Sequence, residues 1–218
     1  MVGRAIVLTL GFDEKFAIRA LMRAAPLKED EVVVIIPSIG DEKSKKALDS
    51  VRSFCNIIGT NVDVREVPVA EPKAAMAIIY KLCSQRLKEG KRLHLNLSGG
   101  MRALILETLA AALAAARHIP EVKVEVELEN FSGVVEFTLS DFTLSPPESQ
   151  DLDILTCIKE LEDAGGRATL DRIASRTEIP RSTVYRRLLE LVRRGYVKLE
   201  RQDRKVAYSL TDLGRMWA

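Results

Sequence analysis

The sequence predicts an α/β protein: a Rossmann-like, doubly wound and mostly parallel sheet, followed by a C-terminal winged helix-turn-helix domain. Three observations predict this class. Apolar segments of strand length alternate with helical patterns over residues 1–140. A stretch with the adjacent prolines Pro146 and Pro147 follows, which is typical of a short stiff linker. The last part of the chain carries helical patterns and then two short alternating segments.

We therefore predict a Rossmann-like domain over residues 1–140, a linker over residues 141–149 and a winged helix-turn-helix domain over residues 150–218. The net charge of the chain is only +2, but the charge is distributed unevenly. Residues 165–218 carry 13 basic and 6 acidic side chains. A basic block behind a neutral first domain favours nucleic acid as the partner of the second domain.

The first domain contains six predicted strands. Most of them are continuous apolar runs, which are typical of strands buried on both faces of a parallel sheet. Gly133 lies in a short connection between the last two strands and indicates a hairpin there. The predicted strands are Arg4–Leu10, Glu31–Pro37, Val62–Val67, Leu93–Leu97, Val122–Leu128 and Val134–Leu139.

Four helices are predicted between these strands. Asp13 is a suitable cap for the first helix, Glu71 and Pro72 open the third, and alanine and leucine dominate the fourth. Strands that alternate with helices in this way are covered by helices on both faces of the sheet. The predicted helices end near Ala25, Ile58, Lys88 and Arg117.

The segment from Leu93 to Arg102 contains a strand, a tight polar turn and the start of a helix. Gly99 and Gly100 let the backbone turn sharply and pass close to a ligand. The N–H groups and the positive dipole end of the new helix suit phosphate. Arg102 stands in the first turn, where the dipole disfavours a cation, so pairing with an anionic ligand is its natural role. The alternative, that the two glycines serve packing alone, stays open.

In doubly wound sheets, ligands bind outside the carboxyl ends of the strands, where the strand order reverses. We expect this switch point between the first and fourth strands. The turns that follow these two strands should then meet in space, with the loop after the second strand beside them. The predicted ligand-binding residues are Thr9, Leu10, Gly11, Phe12, Ser38, Asn96, Ser98, Gly99, Gly100, Met101 and Arg102.

Other features argue against several classes of protein. Gly11 has no GxGxxG pattern around it, so we do not expect the protein to bind NAD in the usual way. Cys55, Cys83 and Cys157 lie far apart in apolar helical patterns, so we predict buried free thiols, no metal site and no cofactor. The sequence shows neither a membrane-length apolar run nor a signal-peptide pattern, and we expect a cytoplasmic protein with no membrane partner.

The second domain is predicted as a helix, a short helix, a turn, a basic helix and a basic hairpin. The first helix covers Leu152–Leu161, Thr169 caps the second, and Pro180 begins the third at a position that tolerates proline. The hairpin strands are Val197–Glu200 and Val206–Leu210. This order of elements is that of a winged helix-turn-helix, whose third helix enters the major groove of double-stranded DNA.

The predicted DNA-binding residues fall into three groups. Ser182, Thr183 and Arg186 are placed to contact base edges near the start of the third helix. A second group is better placed for phosphates, and the wing cations for the backbone or the minor groove. The alternative is a winged helix used only for protein contacts. The second and third groups are Arg181, Tyr185 and Arg187, and then Arg201, Arg204 and Lys205.

The two halves together resemble a known family. Thr9-Leu10-Gly11-Phe12-Asp13 after the first strand, and Asn96-x-Ser98-Gly99-Gly100-x-Arg102 after the fourth, resemble the motifs of CARF domains, the Rossmann-like sensors of CRISPR-associated proteins. Together with the segment from Ile179 to Leu188, they are similar to the archaeal CARF–winged-helix transcription regulators of CRISPR loci. The resemblance covers nearly the whole chain.

The resemblance implies a homodimer in which two CARF domains meet along the switch-point edge. It also implies a ligand, a cyclic oligoadenylate, usually cyclic tetraadenylate, bound on the dimer axis between the two Gly-Gly-Met-Arg turns. Three rival interpretations remain open: a ring nuclease that uses Arg102 and Ser98 to cleave such a ligand, a regulator that senses a smaller nucleotide metabolite, and a structural adaptor.

Overall fold

The computed structural model describes residues 3–38, 42–117, 122–142, 146–202 and 205–218, with the backbone alone at Ser140, Arg201, Gln202 and Lys205. The chain divides into two compact units, Met1–Leu144 and Ser145–Ala218. The division falls within the stretch 141–149 that was predicted to be the linker.

The first unit is built on a six-stranded sheet with the strand order β3-β2-β1-β4-β5-β6. The first five strands pair in parallel, and β5 and β6 form an antiparallel hairpin. The order reverses between β1 and β4, so the predicted switch point is confirmed. The strands are β1 Arg4–Thr9, β2 Glu31–Pro37, β3 Asn61–Val67, β4 Arg92–Asn96, β5 Lys123–Glu127 and β6 Val134–Thr138.

Helices cover both faces of this sheet, which confirms the doubly wound architecture. Helices α1 and α2 pack on one face around Leu8 of β1 and Val34 of β2. Helices α3 and α4 pack on the other face around Val7 and Leu95. The helices are α1 Lys15–Ala24, α2 Glu42–Ile58, α3 Pro72–Lys88 and α4 Arg102–Ala115.

Two details of the first unit differ from the sequence prediction. Asp13 does not occupy the cap position of α1, which belongs to Glu14. Instead, the Asp13 carboxylate accepts a hydrogen bond of 2.9 Å from the N–H of Lys15, so it satisfies a backbone donor at the start of the helix from one position earlier. A short 3₁₀ helix, Leu139–Phe142, follows β6 and was not predicted.

The second unit has the predicted winged-helix order. Its core is formed by apolar side chains of three helices and of the hairpin strands, among them Ile158, Leu188 and Tyr208. Thr169 stands at the N-cap of α6 as predicted, but its side chain makes no cap hydrogen bond. A last short helix was not predicted. The elements are α5 Ser149–Asp163, α6 Leu170–Thr177, α7 Arg181–Arg193, β7 Val197–Gln202, β8 Lys205–Leu210 and α8 Asp212–Arg215.

The three cysteines are free and buried, as predicted. Burial raises the pKa of Cys55 to about 11 and, despite the nearby Arg86, that of Cys83 to about 12. Both thiols are therefore protonated at neutral pH and behave as small apolar side chains. Across the described ranges, no group of His, Cys, Asp and Glu could hold a metal ion, and no helix is long and apolar enough to cross a membrane.

Candidate functional site

The two glycine-containing turns meet at the switch point. A Cβ built on Gly11, after β1, would lie 3.0 Å from the Cα of Gly100, after β4. A Cβ built on Gly99 would lie 3.0 Å from the carbonyl oxygen of Thr9. Contacts this close are tighter than most that real Cβ atoms make, so both positions favour glycine for this contact between backbones.

Buried hydrogen bonds hold the two turns together. The hydroxyl of Thr9, which is 1% exposed, donates to the carbonyl oxygen of Gly99 at 2.5 Å. The side chain of Leu10 is fully buried in the core, so only its backbone can face a ligand. Thr9 and Leu10 therefore support the turn from the buried side and do not present their side chains to a ligand.

Asn96 ends β4 and is 2% exposed. Its Oδ1 accepts a hydrogen bond of 3.3 Å from the N–H of Ser98, while its buried Nδ2 has no partner among the residues that the structure describes. The Ser98 hydroxyl accepts a hydrogen bond of 2.8 Å from the N–H of Glu127 on β5 and keeps its own hydrogen for donation. An unpaired buried donor costs free energy, so the Asn96 amide is suited to an acceptor brought from outside.

Helix α4 starts directly at this turn. Gly100 has φ +102°, in the left-handed region that favours glycine, and Met101 is the N-cap with extended backbone and no side-chain cap. Arg102 is the first helical residue and is exposed. The first turn of a helix presents N–H groups without intrahelical partners, and with an adjacent guanidinium this end suits an anion.

The other predicted ligand residues border the turns. Phe12 is 57% exposed and Met101 is 36% exposed. Ser38 is exposed beyond β2, and its N–H donates to the carbonyl oxygen of Val67 at 2.9 Å. The rest of the predicted neighbouring loop, residues 39–41, lies outside the described residues.

A cluster of charged residues beneath the site was not found from the sequence. Arg19 Nε bonds to Glu127 Oε1 at 2.6 Å, and Arg23 bonds to Glu127 at 2.8 Å and to Glu125 at 2.5 Å. His94 Nε2 lies 3.2 Å from Glu125 Oε2. Burial alone would raise the pKa of Glu125, but hydrogen bonds from His94 and Arg23 outweigh it and the pKa is lowered.

The spacing of the charged residues in the sequence indicates the two charged faces that form this cluster. Arginines four residues apart on α1 share one helix face, and glutamates two residues apart on β5 share one sheet face. Nothing local indicated that these two faces meet, because they are separated by 102 residues in the Arg23–Glu125 pair.

In the second unit, α7 presents several of the predicted DNA contacts. Arg181, Ser182, Tyr185 and Arg186 are exposed, and Thr183 is half-buried. Arg181 Nε bonds to Asp171 of α6 at 2.5 Å. The roles of these residues in DNA binding stay predictions. Of the wing, the side chains of Arg201 and Lys205 and the whole of Arg204 lie outside what the structure describes.

Arg187 lies apart from these residues, on the side of α7 that faces α5. Its Nη1 bonds to Asp151 Oδ1 at 2.9 Å and to Glu148 Oε2 at 3.1 Å, and its Nε bonds to Gln150 at 2.9 Å. Its side chain is 22% exposed. The predicted phosphate contact of Arg187 therefore competes with these internal hydrogen bonds. The sequence did not indicate them, because nothing local shows that α7 meets the start of α5.

The fold and its turns define a class of two-unit proteins, in which a Rossmann-like domain with a switch-point site is joined to a helix-turn-helix DNA-binding domain. The chain belongs to the family of the Csa3 CRISPR-associated Rossmann-like domain, whose family model matches residues 4–138. Residues 152–201 match the IclR helix-turn-helix domain. The resemblance to CRISPR-associated Rossmann-like regulators is thereby confirmed.

Proteins that are similar to this chain include one relative and two solved structures. A CRISPR locus-related protein of Thermoproteus tenax, Csa3, whose name gives DNA binding as its expected role, is 27% identical over 199 residues, which are 88% of this chain and 84% of that protein. Can2 from Sulfobacillus thermosulfidooxidans, solved with cyclic tetra-adenylate, is 12% identical with a TM-score of 0.46, over 98% of this chain and 62% of that chain. Protein VC1899 from Vibrio cholerae is 12% identical with a TM-score of 0.46, over 98% of this chain and 63% of that chain.

Proposed function

We propose that this protein is a ligand-responsive transcription regulator of CRISPR loci that works in the cytoplasm. It binds a cyclic oligoadenylate, cyclic tetraadenylate in the first instance, at the turns after β1 and β4. The observation that carries the proposal is the apposition of Gly11 and Gly100 beside the exposed Arg102 at the start of α4. Helix start and guanidinium together offer donors and positive charge to phosphates.

The exposed face of α4 supports a homodimer. Ala103, Leu106, Ala110 and Ala114 are exposed along one side of this helix, and Leu106 is 66% exposed. A helix that is apolar on all sides is normally buried. A second copy that packs on this stripe covers it. The stripe begins at Ala103, next to Arg102. Two copies that pack with their α4 helices side by side in the same direction therefore bring the two ligand turns towards one symmetric site.

A symmetric site suits the chemistry of a cyclic oligoadenylate. The ring carries several phosphates with approximate rotational symmetry, and two identical helix starts related by a two-fold axis offer it matched donors. In such a dimer, the two α7 helices would read half-sites about one turn of DNA apart, or a multiple of it. The ligand changes DNA affinity only through its differential affinity for the two dimer arrangements.

We further propose that the site binds its ligand without cleaving it. His94 of β4 is 7% exposed and bonds to Glu125 of the neighbouring strand β5, so it is not placed to exchange protons with a ligand at the turns. Arg102 can stabilise charge, but a guanidinium offers hydrogen-bond donors and no acceptor. The second histidine, His118, lies outside the described residues.

Calorimetric titration of the full-length protein with cyclic tetraadenylate tests this function, with chromatography of the recovered ligand and the mass of the complex in solution. We expect one intact ring per dimer. Recovery of a linear product would show that the protein is a ring nuclease. Binding of a mononucleotide within one protomer, and not of cyclic tetraadenylate, would show that it senses a smaller metabolite. Absence of any binding would contradict the sensing function.

Arg102→Ala provides the matched test of the site. We expect ligand affinity to fall by about tenfold or more, since a charge-assisted hydrogen bond contributes about 1.5–3 kcal/mol. DNA binding without ligand should be unchanged. Arg117→Ala is the control, because Arg117 is exposed just beyond the opposite end of α4. Equal loss of ligand and DNA binding in Arg102→Ala would contradict the division of labour between the two units.

A further inference from the structure

The tip of the β5–β6 hairpin places an aromatic ring beside the ligand turns. Phe131 stacks on Phe16 of α1, with ring centroids 5.0 Å apart and planes 24° apart. Phe16 itself borders Gly99, since a Cβ built on Gly99 would lie 3.6 Å from the Phe16 Cβ. The glycine turn, Phe16 and Phe131 therefore form one continuous wall at the carboxyl edge of the sheet.

A cation completes this wall. The guanidinium carbon of Arg19 lies 5.1 Å from the centre of the Phe131 ring, a cation–π contact. Arg19 Nε is fixed by Glu127 at 2.6 Å, yet the Arg19 side chain is still 48% exposed. The wall thus combines aromatic and guanidinium planes, which are the groups on which proteins stack nucleobases.

The backbone of Phe131 is held in an unusual conformation. Its φ is 58°, in the left-handed region that bulky residues rarely adopt, and Phe131 is nevertheless 42% exposed. A hairpin tip that served only to reverse the chain would favour glycine or asparagine at such a position. Residues held in this way are found preferentially at sites that bind ligands.

We propose that Phe131 is a base-stacking residue: it contacts an adenine of the ligand whose phosphates lie at the start of α4. Phe16 and Arg19 are positioning residues that hold the ring of Phe131 in place. This inference rests on the proposed function, and it adds a contact that distinguishes a nucleotide from other phosphate-bearing ligands.

Titration of full-length variants with cyclic tetraadenylate tests the inference. Phe131→Ala and Phe131→Asn should each weaken binding by about tenfold or more, as expected for the loss of a stacked base. Asparagine tolerates the left-handed backbone, so the second variant removes the ring while keeping the hairpin. Phe142→Ala is the matched control, because Phe142 is 38% exposed, contacts Phe137 at 5.3 Å and lies beyond the other end of β6.

Phe131→Trp gives a readout that a structural role alone would not produce. This variant should retain wild-type affinity, and its tryptophan fluorescence should fall when cyclic tetraadenylate binds. The fall should exceed that of the wild-type protein, whose one tryptophan is Trp217. Wild-type affinity in the alanine and asparagine variants, or unchanged fluorescence in a tryptophan variant that binds, would overturn the inference and leave the proposed function intact. Absence of binding by the wild-type protein would overturn both.

Discussion

The hydroxyl of Thr9 donates a hydrogen bond to the carbonyl oxygen of Gly99, and this contact joins the turns that follow β1 and β4. Both groups are buried, so the bond fixes how closely the two backbones approach. The turn that carries Arg102 is therefore held by a residue 90 positions earlier in the sequence. The geometry of the proposed ligand site depends on this internal bond as much as on the residues that face the ligand.

Thr9→Val should loosen this link. Valine keeps the shape of threonine but leaves the Gly99 carbonyl without its donor, which costs about 1–3 kcal/mol for a buried group. We expect a lower free energy of unfolding in urea and weaker binding of cyclic tetraadenylate. Thr9→Ser, which retains the hydroxyl, should keep more of the ligand affinity than Thr9→Val does. Equal affinity of the valine variant and the wild type would show that the bond does not position the turn.

Gly100→Ala should disturb the ligand turn through backbone strain. Gly100 has φ +102°, and an added Cβ would meet Thr9 and Leu104 side-chain atoms at 3.4 Å. Gly90→Ala is the matched control, because Gly90 has φ +79° but open space around its Cβ position. Both variants should lose about 1 kcal/mol of stability from strain, whereas ligand affinity should fall only in Gly100→Ala. Loss of affinity in both would point to a general effect on the fold.

Two buried glutamates should respond to neutralisation in opposite directions. Burial raises the pKa of Glu107, whose two carboxylate oxygens have no hydrogen-bond partner within the described part of the chain. The pKa of Glu125 is lowered despite burial, because His94 and Arg23 bond to it. At pH 7, Glu107→Gln should stabilise the protein and Glu125→Gln should destabilise it, each by about 1–3 kcal/mol, as measured by urea unfolding.

The pH dependence of unfolding checks the same pair. The stability from Glu125 is present above its unfolded pKa, near 4.5, and is lost as the pH falls through its lower folded pKa. The penalty from Glu107 appears as the pH rises above 4.5 towards its higher folded pKa. Glu125→Gln should therefore flatten the loss of stability in acid. A destabilising effect of Glu107→Gln at pH 7 would contradict the assignment of an unpaired carboxylate.

Arg186 and Arg187 are neighbours on α7, but we expect different consequences when each is replaced by alanine. Arg186→Ala should reduce discrimination between operator and random DNA by about 1–3 kcal/mol, the loss of a base contact. Arg187→Ala should mainly lower the melting temperature, because it removes the 2.9 Å hydrogen bond to the buried carboxylate of Asp151 and leaves only the longer contacts with the Glu148 N–H and with Arg194. Binding curves at several salt concentrations and thermal melts separate the two effects.

Lys205 gives the control for sequence-independent binding. A wing cation that contacts phosphate should weaken binding to all DNA alike when it is replaced by alanine, and it should lower the salt dependence. If Arg186→Ala instead behaved in this manner, the base-reading face of α7 would have to be placed elsewhere.

Local patterns in the sequence determined the elements of this protein. The alternation of apolar strands with helical segments predicted the doubly wound sheet, and the turns at Gly11 and at Gly99–Gly100 located the switch point. The basic third helix and the hairpin predicted the winged helix. These features could be predicted because periodicity, caps and turn residues act between residues that are close in sequence.

Tertiary structure alone decided which charges and rings meet. The pairing of Arg19 and Arg23 with Glu127 and Glu125, the stack of Phe16 on Phe131, and the bonds of Arg187 to the start of α5 all join segments far apart in the chain. A sequence pattern shows which face of an element is polar or aromatic, but not which other face it will contact. That choice depends on the packing of whole elements, and here it adds an aromatic and cationic wall to the predicted ligand site.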